Sequence, residues 1–437
     1  MSITVPSNVL QNVATYQKTD IAYMLNSFVM MNLANKTFDN FQNMPGNLGQ
    51  TVTFTLETRY KGGDGLVVDF EETVQNLQSL SCTQAKHVAT AFNDQQLIFN
   101  VDEYIDQFKM AAAHQLGTKV ERDLQLNFIS GMRSGQTGNL YTDSGPYRFF
   151  GNGVDNISFQ DLAQMVANFR AVGNPEGNFT GVLPQDIIPG IVGQGANFFT
   201  PKRGDDTVYS WEIGEWGNAD WKTSNLTPTH IAGTIGQAGG VDSIMTVVVT
   251  NDPTGENITQ ITFTEPRGAS EVGAIKAGDL FYFVDNVPNF DNMRALTYEG
   301  QAVTSQPVQF RAIADATSVA GTVTVTLCAD SNLGGLVSAP ISKQNINQAI
   351  QAGMQVKVMP SHRAGVLMAG NPFYLAMPRL PDQSPYVTAN EVDPDSGVSI
   401  RHYYGAGFGN NTKGYVRDCL YGAALVPHLS MRILLPV

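Results

Sequence analysis

The side chains in this sequence that could do chemistry are scattered. Its six histidines, His87, His114, His230, His362, His402 and His428, form no HExxH pair and no other spacing that sets two imidazoles on one metal. His114, alone on an expected helix, reads as a packed or solvated residue. The three cysteines, Cys82, Cys328 and Cys419, are odd in number and far apart, with no CxxC or nearby CxxH. That argues against a disulfide framework and a zinc site, and fits a reducing cytoplasm.

No GxSxG elbow and no Walker A sequence is present. "GAGFGN" (405–410) lacks the GxGxxG spacing and a following helix, so it reads as a glycine turn. "EVDPDSGV" (391–398) spaces Glu391, Asp393 and Asp395 like part of a calcium loop, but Pro394 and the missing terminal Glu break the pattern. The Arg203-Gly204-Asp205 triplet invites an adhesion reading, and Asn35-Lys36-Thr37 and Asn178-Phe179-Thr180 invite glycosylation. Both presuppose secretion, and "MSITVPSNVLQNVATYQKTD" has neither a basic n-region nor an apolar h-region. The residues therefore predict no catalytic group, no metal and no cofactor.

Composition points toward protein contact. Only 15% of residues are charged, against roughly a quarter in a typical soluble protein. The formal net charge of -13 gives no overall footprint for gripping nucleic acid. The absence of any run of about 18 apolar residues predicts no membrane span. At 437 residues the chain has room for two or three domains.

The elements that would carry such contacts can be placed. "TDIAYMLNSFVMMNLAN" (19–35) has apolar residues at helical spacing behind Thr19-Asp20. "TVTFTLETRYKGGDGLVVDF" (51–70) begins as a half-buried strand with Val52, Phe54 and Leu56 on one face, then reaches a glycine tip at 62–65. It reads as a long hairpin-like arm with no strand of comparable length beside it in sequence.

The strongest helix is 102–130, where Ile105, Phe108, Ala112, Leu116, Val120, Leu124 and Phe128 step by three or four behind Asp102, Glu103 and Asp106. Roughly 29 residues at about 1.5 Å each make a rod on the order of 40 Å. A second helix is expected at 158–173, with Ser158 and Asp161 as a capping pair. Short strands follow at 243–250, 258–265, 279–286, 307–315 and 321–329, suggesting a small barrel or sandwich inserted into a larger domain. "KQNINQAIQAGM" (343–354) reads as a short helix, and the C-terminal part as strands.

"TVTFTLETRYKGGDGLVVDFEE", "NVDEYIDQFKMAAAHQLGTKVERDL", "AGDLFYF" and "NINQAIQAG" occur in an order that resembles the major capsid proteins of tailed bacteriophages, which share the Hong Kong 97 fold. More narrowly, the chain resembles the coat proteins of short-tailed Salmonella phages, which carry an extra inserted β-domain. The resemblance covers nearly the whole chain in order of elements and implies an α+β capsid fold. Its expected parts are an N-terminal arm (1–45), an extended loop (46–85), and a peripheral domain with the spine helix (86–175). An axial domain is expected in two parts (176–234 and 341–410), around an inserted β-barrel (235–340), with C-terminal strands of the peripheral domain at 411–437.

The resemblance also implies self-assembly into pentamers and hexamers, an icosahedral shell around double-stranded DNA bound without sequence specificity, and a virion location after assembly in the bacterial cytoplasm. A portal, a decoration protein and a separate scaffolding protein are implied partners, the last because the segment before the loop is only about 50 residues. Contact between subunits is expected at Val52, Phe54, Leu56, Arg59, Lys61 and Asp64. Some family members crosslink a loop lysine to an asparagine, which makes Lys61 a candidate for that chemistry beside its plainer reading as a solvated tip. The other readings are a cellular nanocompartment shell protein of the same fold, a secreted β-rich adhesin, or a carbohydrate-active enzyme that needs a carboxylate pair.

Overall fold

The computed structural model describes residues 28–36, 51–55, 66, 68, 70, 77–93, 110–131, 145–172, 177–195, 214–252, 258–266, 272–285, 293–297, 302–327, 345–392, 397–406 and 412–437. Helix and strand are mixed along the chain. Among the described residues, three larger sheets and three of the five α-helices organise it.

The first helix, α1 (Val29–Leu33), is what lies within the described residues of the amphipathic segment expected at 19–35. The second, α2 (Met110–Gln125), runs on as a 3-10 turn through Phe128. Its expected apolar face is buried: Ala112, Leu116, Val120, Leu124 and Phe128 all face the core. Residues 102–109, the expected acidic start, lie outside the described residues. The third, α3 (Phe159–Ala171), begins as its sequence predicts. The Ser158 hydroxyl accepts the Asp161 N–H, and the Asp161 carboxylate accepts the Ser158 N–H at 2.8 Å, satisfying donors that a helix start leaves open.

One sheet runs in the order β4 (Arg148–Phe150), β24 (Ser430–Leu435), β19 (His362–Ala369), β5 (Phe179–Pro184), β7 (Ala219–Ser224) and β6 (Gly214–Trp216), with β8 (Thr229–His230) also on β19. Its α3 side forms a core of Leu162, Met165, Phe169, Phe179, Leu183, Trp221 and Ile433. A second sheet joins β20 (Phe373–Ala376), β23 (Thr412–Leu425), β22 (Ser399–Ala406) and β21 (Val387–Val392), and the ten-residue β3 (Gln84–Asn93) lies along β23. Helix α2 packs on this sheet, bringing Leu116, Val120 and Leu124 against Ile400, Cys419 and Tyr421.

The β-rich stretch forms the third sheet, in the order β15 (Gln309–Arg311), β12 (Leu280–Val284), β18 (Gln355–Val358), β9 (Ile244–Thr250), β10 (Gln260–Thr264) and β17 (Thr322–Thr326). All its described pairings are antiparallel. The ends of the two outer strands meet: just past them Ala312 bridges Leu327, and the Ile313 N–H donates to the Thr326 carbonyl at 3.0 Å. Inside, Phe263, Phe281 and Phe310 are fully buried with rings within 5° of parallel and centroids 4.9–6.5 Å apart. Two small ladders, β11 (Ala274–Ile275) with β16 (Ala316–Thr317) and β13 (Arg294–Leu296) with β14 (Val303–Pro307), complete this unit.

Two expectations are corrected here. Residues 345–354 are not helical; Ile346 instead bridges Ala295, and the segment delivers β18 between β12 and β9. The third sheet therefore takes a strand from beyond residue 340. The strand at 51–55 also has a partner of equal length in its own chain: β1 (Thr51–Thr55) pairs antiparallel with β2 (Leu77–Ser81).

Candidate assembly surface

Strands β1 and β2 are joined by about 20 residues, far more than a tight hairpin needs. The pair is rooted at the end of β2. Leu80 is buried with Cys82, Ala376 and Ala424, and Gly422 on β23 has no side chain to obstruct it: a Cβ there would stand 2.4 Å from the Ser81 carbonyl oxygen. The following strand is held by charge. Lys86 on β3 lies 2.7 Å from the Asp123 carboxylate of α2, to which the Tyr421 hydroxyl donates at 2.9 Å.

Of the residues expected at contacts between subunits, Val52 and Phe54 lie in β1, opposite Leu80 and Gln78. Leu56, Arg59, Lys61 and Asp64 lie outside the described residues, as does the Arg203-Gly204-Asp205 triplet. The clearest surface signal falls further along the loop. Val68 and Phe70 are 74% and 97% exposed and Leu66 is fully so, an alternating apolar row in solvent. The run from Leu66 to Val68 is visible in the sequence, and its period-2 continuation to Phe70 is the cue that was missed.

A second docking contact joins residues 28–36 to the body. The Met30 and Met31 N–H groups donate to the two oxygens of Glu121 on α2, at 2.8 and 3.2 Å, and the Gln125 amide donates to the same carboxylate. Burial pushes the Glu121 carboxyl up from its ordinary range, against the opposing pull of these donors. The Phe28 ring stacks on His114 at 5.8 Å. Asn35 then bridges β20: its N–H donates to Phe373 and its carbonyl accepts from Leu375.

The groups considered for catalysis or metal binding are dispersed. Among the described residues no three His, Cys, Asp or Glu side chains are placed to hold a metal ion. Cys82 and Cys419 are buried free thiols pushed up to about 12 by burial, far from the thiolate form a nucleophile needs. Residues 405–406 of the glycine turn belong to β22, and Glu391 of the acidic loop belongs to β21. No helix among the described residues is long and apolar enough to cross a membrane.

No family model and no curated protein matches the chain. Among solved structures it is similar to the capsid of Ralstonia phage GP4, with a TM-score of 0.42 and 7% identity over 94% of this chain and 89% of that one. It is also similar to the capsid structure of the cyanophage P-SCSP1u, with a TM-score of 0.41 and 10% identity over 94% and 88%. A third likeness is to Mycobacterium phage Che8, with a TM-score of 0.40 and 9% identity over 93% and 91%.

Proposed function

We propose that this chain is the major capsid protein of a tailed bacteriophage, a structural and non-enzymatic protein. Many copies would assemble as pentamers and hexamers into an icosahedral head around double-stranded DNA. The observation that carries the reading is the loop between β1 and β2, where Leu66, Val68 and Phe70 stand in solvent. Full burial of such side chains is worth about 1.5–3 kcal/mol each, and a second copy of the chain would supply the cover. Each contact is modest, but a subunit held at several contacts gains from all of them together.

The order of sequence elements supports the same reading, with 28–36 as part of an N-terminal arm, β1 and β2 as the stem of the extended loop, and α2 as the spine helix. The meeting of β15 and β17 supports an inserted β-barrel, extended to include β18. Scaffolding, portal and decoration proteins belong to this proposal as partners, and the virion shell as the location. With a net charge of -13, packaged DNA would be held by enclosure and not by a basic lining.

Electron microscopy and size exclusion of the purified chain, with and without a co-expressed scaffolding protein, test the reading. Pentamers, hexamers or uniform shells are expected. A chain that stays monomeric in both preparations at high concentration sinks it.

A further inference from the structure

The third sheet meets the first through a buried polar cluster. Asp279, 0% exposed just ahead of β12, accepts His230 Nε2 at 2.7 Å, the Gly233 N–H at 3.1 Å and the Lys276 N–H at 2.8 Å. Arg432 of β24, also 0% exposed, donates to the Gly278 carbonyl at 2.8 Å and to the Ile129 carbonyl. His362, the first residue of β19, completes the group. Its ring lies 5.3 Å from that of His230, and it too is 0% exposed.

The His362 Nδ1 faces the Pro360 carbonyl at 2.8 Å, which assigns the hydrogen to that nitrogen in the neutral ring. Nε2 then carries a lone pair, and it has no hydrogen-bond partner among the described residues. The ionisable groups facing His362 are His230 from β8, Arg432 from β24 and, beyond His230, Asp279 from the turn ahead of β12. Gly153, from the loop after β4, also packs on it and brings no charge.

We propose that His362 makes this junction a pH-sensitive joint, held closed near neutrality and opening more readily in mild acid. A proton on Nε2 would create a buried cation beside the Arg432 guanidinium. Asp279 already accepts three donors and offers it little compensation. Burial first, then Arg432 and His230, hold His362 well below its ordinary value of 6.5. An opened joint hydrates the ring and restores that ordinary value, so the open form binds the proton first. The closed form accordingly loses ground as pH falls below 6.5 toward the depressed value. Between pH 7.5 and 5.5 the opening constant should rise about tenfold. The inference does not rest on the shell reading.

Backbone hydrogen exchange on the purified full chain at pH 7.5 and 5.5, corrected for intrinsic rates, tests it. The Gly233, Gly278, Ala312 and Met359 amides, which bond across or beside the joint, should open about tenfold more at the lower pH, while β10 and β17 keep their protection. His362→Gln should abolish the difference. Equal protection of the wild-type joint at both pH values overturns the proposal, as does a loss spread evenly through β10 and β17. An unchanged acid response in His362→Gln also overturns it. The wild-type comparison decides even if the variant is too unstable to purify.

Discussion

The ring of Phe28 occupies the space that a side chain at Gly117 would need: a Cβ there would stand 2.2 Å from the ring's Cε2. Glycine in a helix interior costs about 1 kcal/mol against alanine, so its presence mid-helix in α2 has a packing reason. The ring beds into the helix and carries residues 28–36 onto it.

Gly117→Ala should therefore destabilise the chain by about 1–2 kcal/mol, the clash outweighing the gain in helix propensity. Urea unfolding measures this. Stability equal to or above that of the wild type would show that Phe28 does not need the notch.

Glu121→Ala removes the acceptor for the Met30 and Met31 N–H groups, and about 2–4 kcal/mol of stability should go with it. The pH dependence has a definite sign. Because the folded carboxyl is raised, its contribution is fully present below the ordinary value of 4.5 and is lost as pH rises through the folded value. The gap in unfolding free energy between wild type and variant should widen on going from pH 7 to 4.5. A gap that narrows contradicts the buried carboxyl.

Leu66→Asp and Phe70→Asp change fully or nearly fully exposed residues, so monomer stability should stay within about 0.5 kcal/mol of the wild type. Assembly monitored by light scattering should fail. Variants that assemble normally would remove the loop from the contact. Variants that unfold would show that it packs on its own chain.

Phe310→Ala opens a cavity among three parallel rings and should cost about 3–5 kcal/mol. The loss should appear first in the third sheet, followed by hydrogen exchange in β10 and β17. Uniform loss across all sheets would mean that this unit has no separate stability.

Helices α2 and α3 were legible because their signals are local, whereas the apolar spacing at 343–354 misled because residues 345–354 bridge and feed a strand instead. Leu116, Val120 and Leu124 recur every four residues, and Ser158 caps with a residue three positions away. The five β-rich segments were legible for the same reason. The pairing of β1 was not, because "LQSLS" alternates weakly and its partner lies across about 20 residues. Nor was the role of Glu121, whose backbone donors are 90 and 91 residues away. The grouping of His230, Asp279, His362 and Arg432 left no trace in spacing, since each arrives on a different element. Contacts made through long loops are written in the fold and carry no periodic mark.

The meeting of Ala312 and Leu327 has one more consequence. An open sheet ends in a row of unused N–H and C=O groups that any passing strand can adopt. Here the two edges come together at one end, where the Ile313 N–H donates to the Thr326 carbonyl, so that end of the unit offers no free template for strand addition. A chain concentrated beside many identical copies can carry such a unit without its copies fusing edge to edge there, and encounters between copies at that end are left to surfaces that side chains can specify.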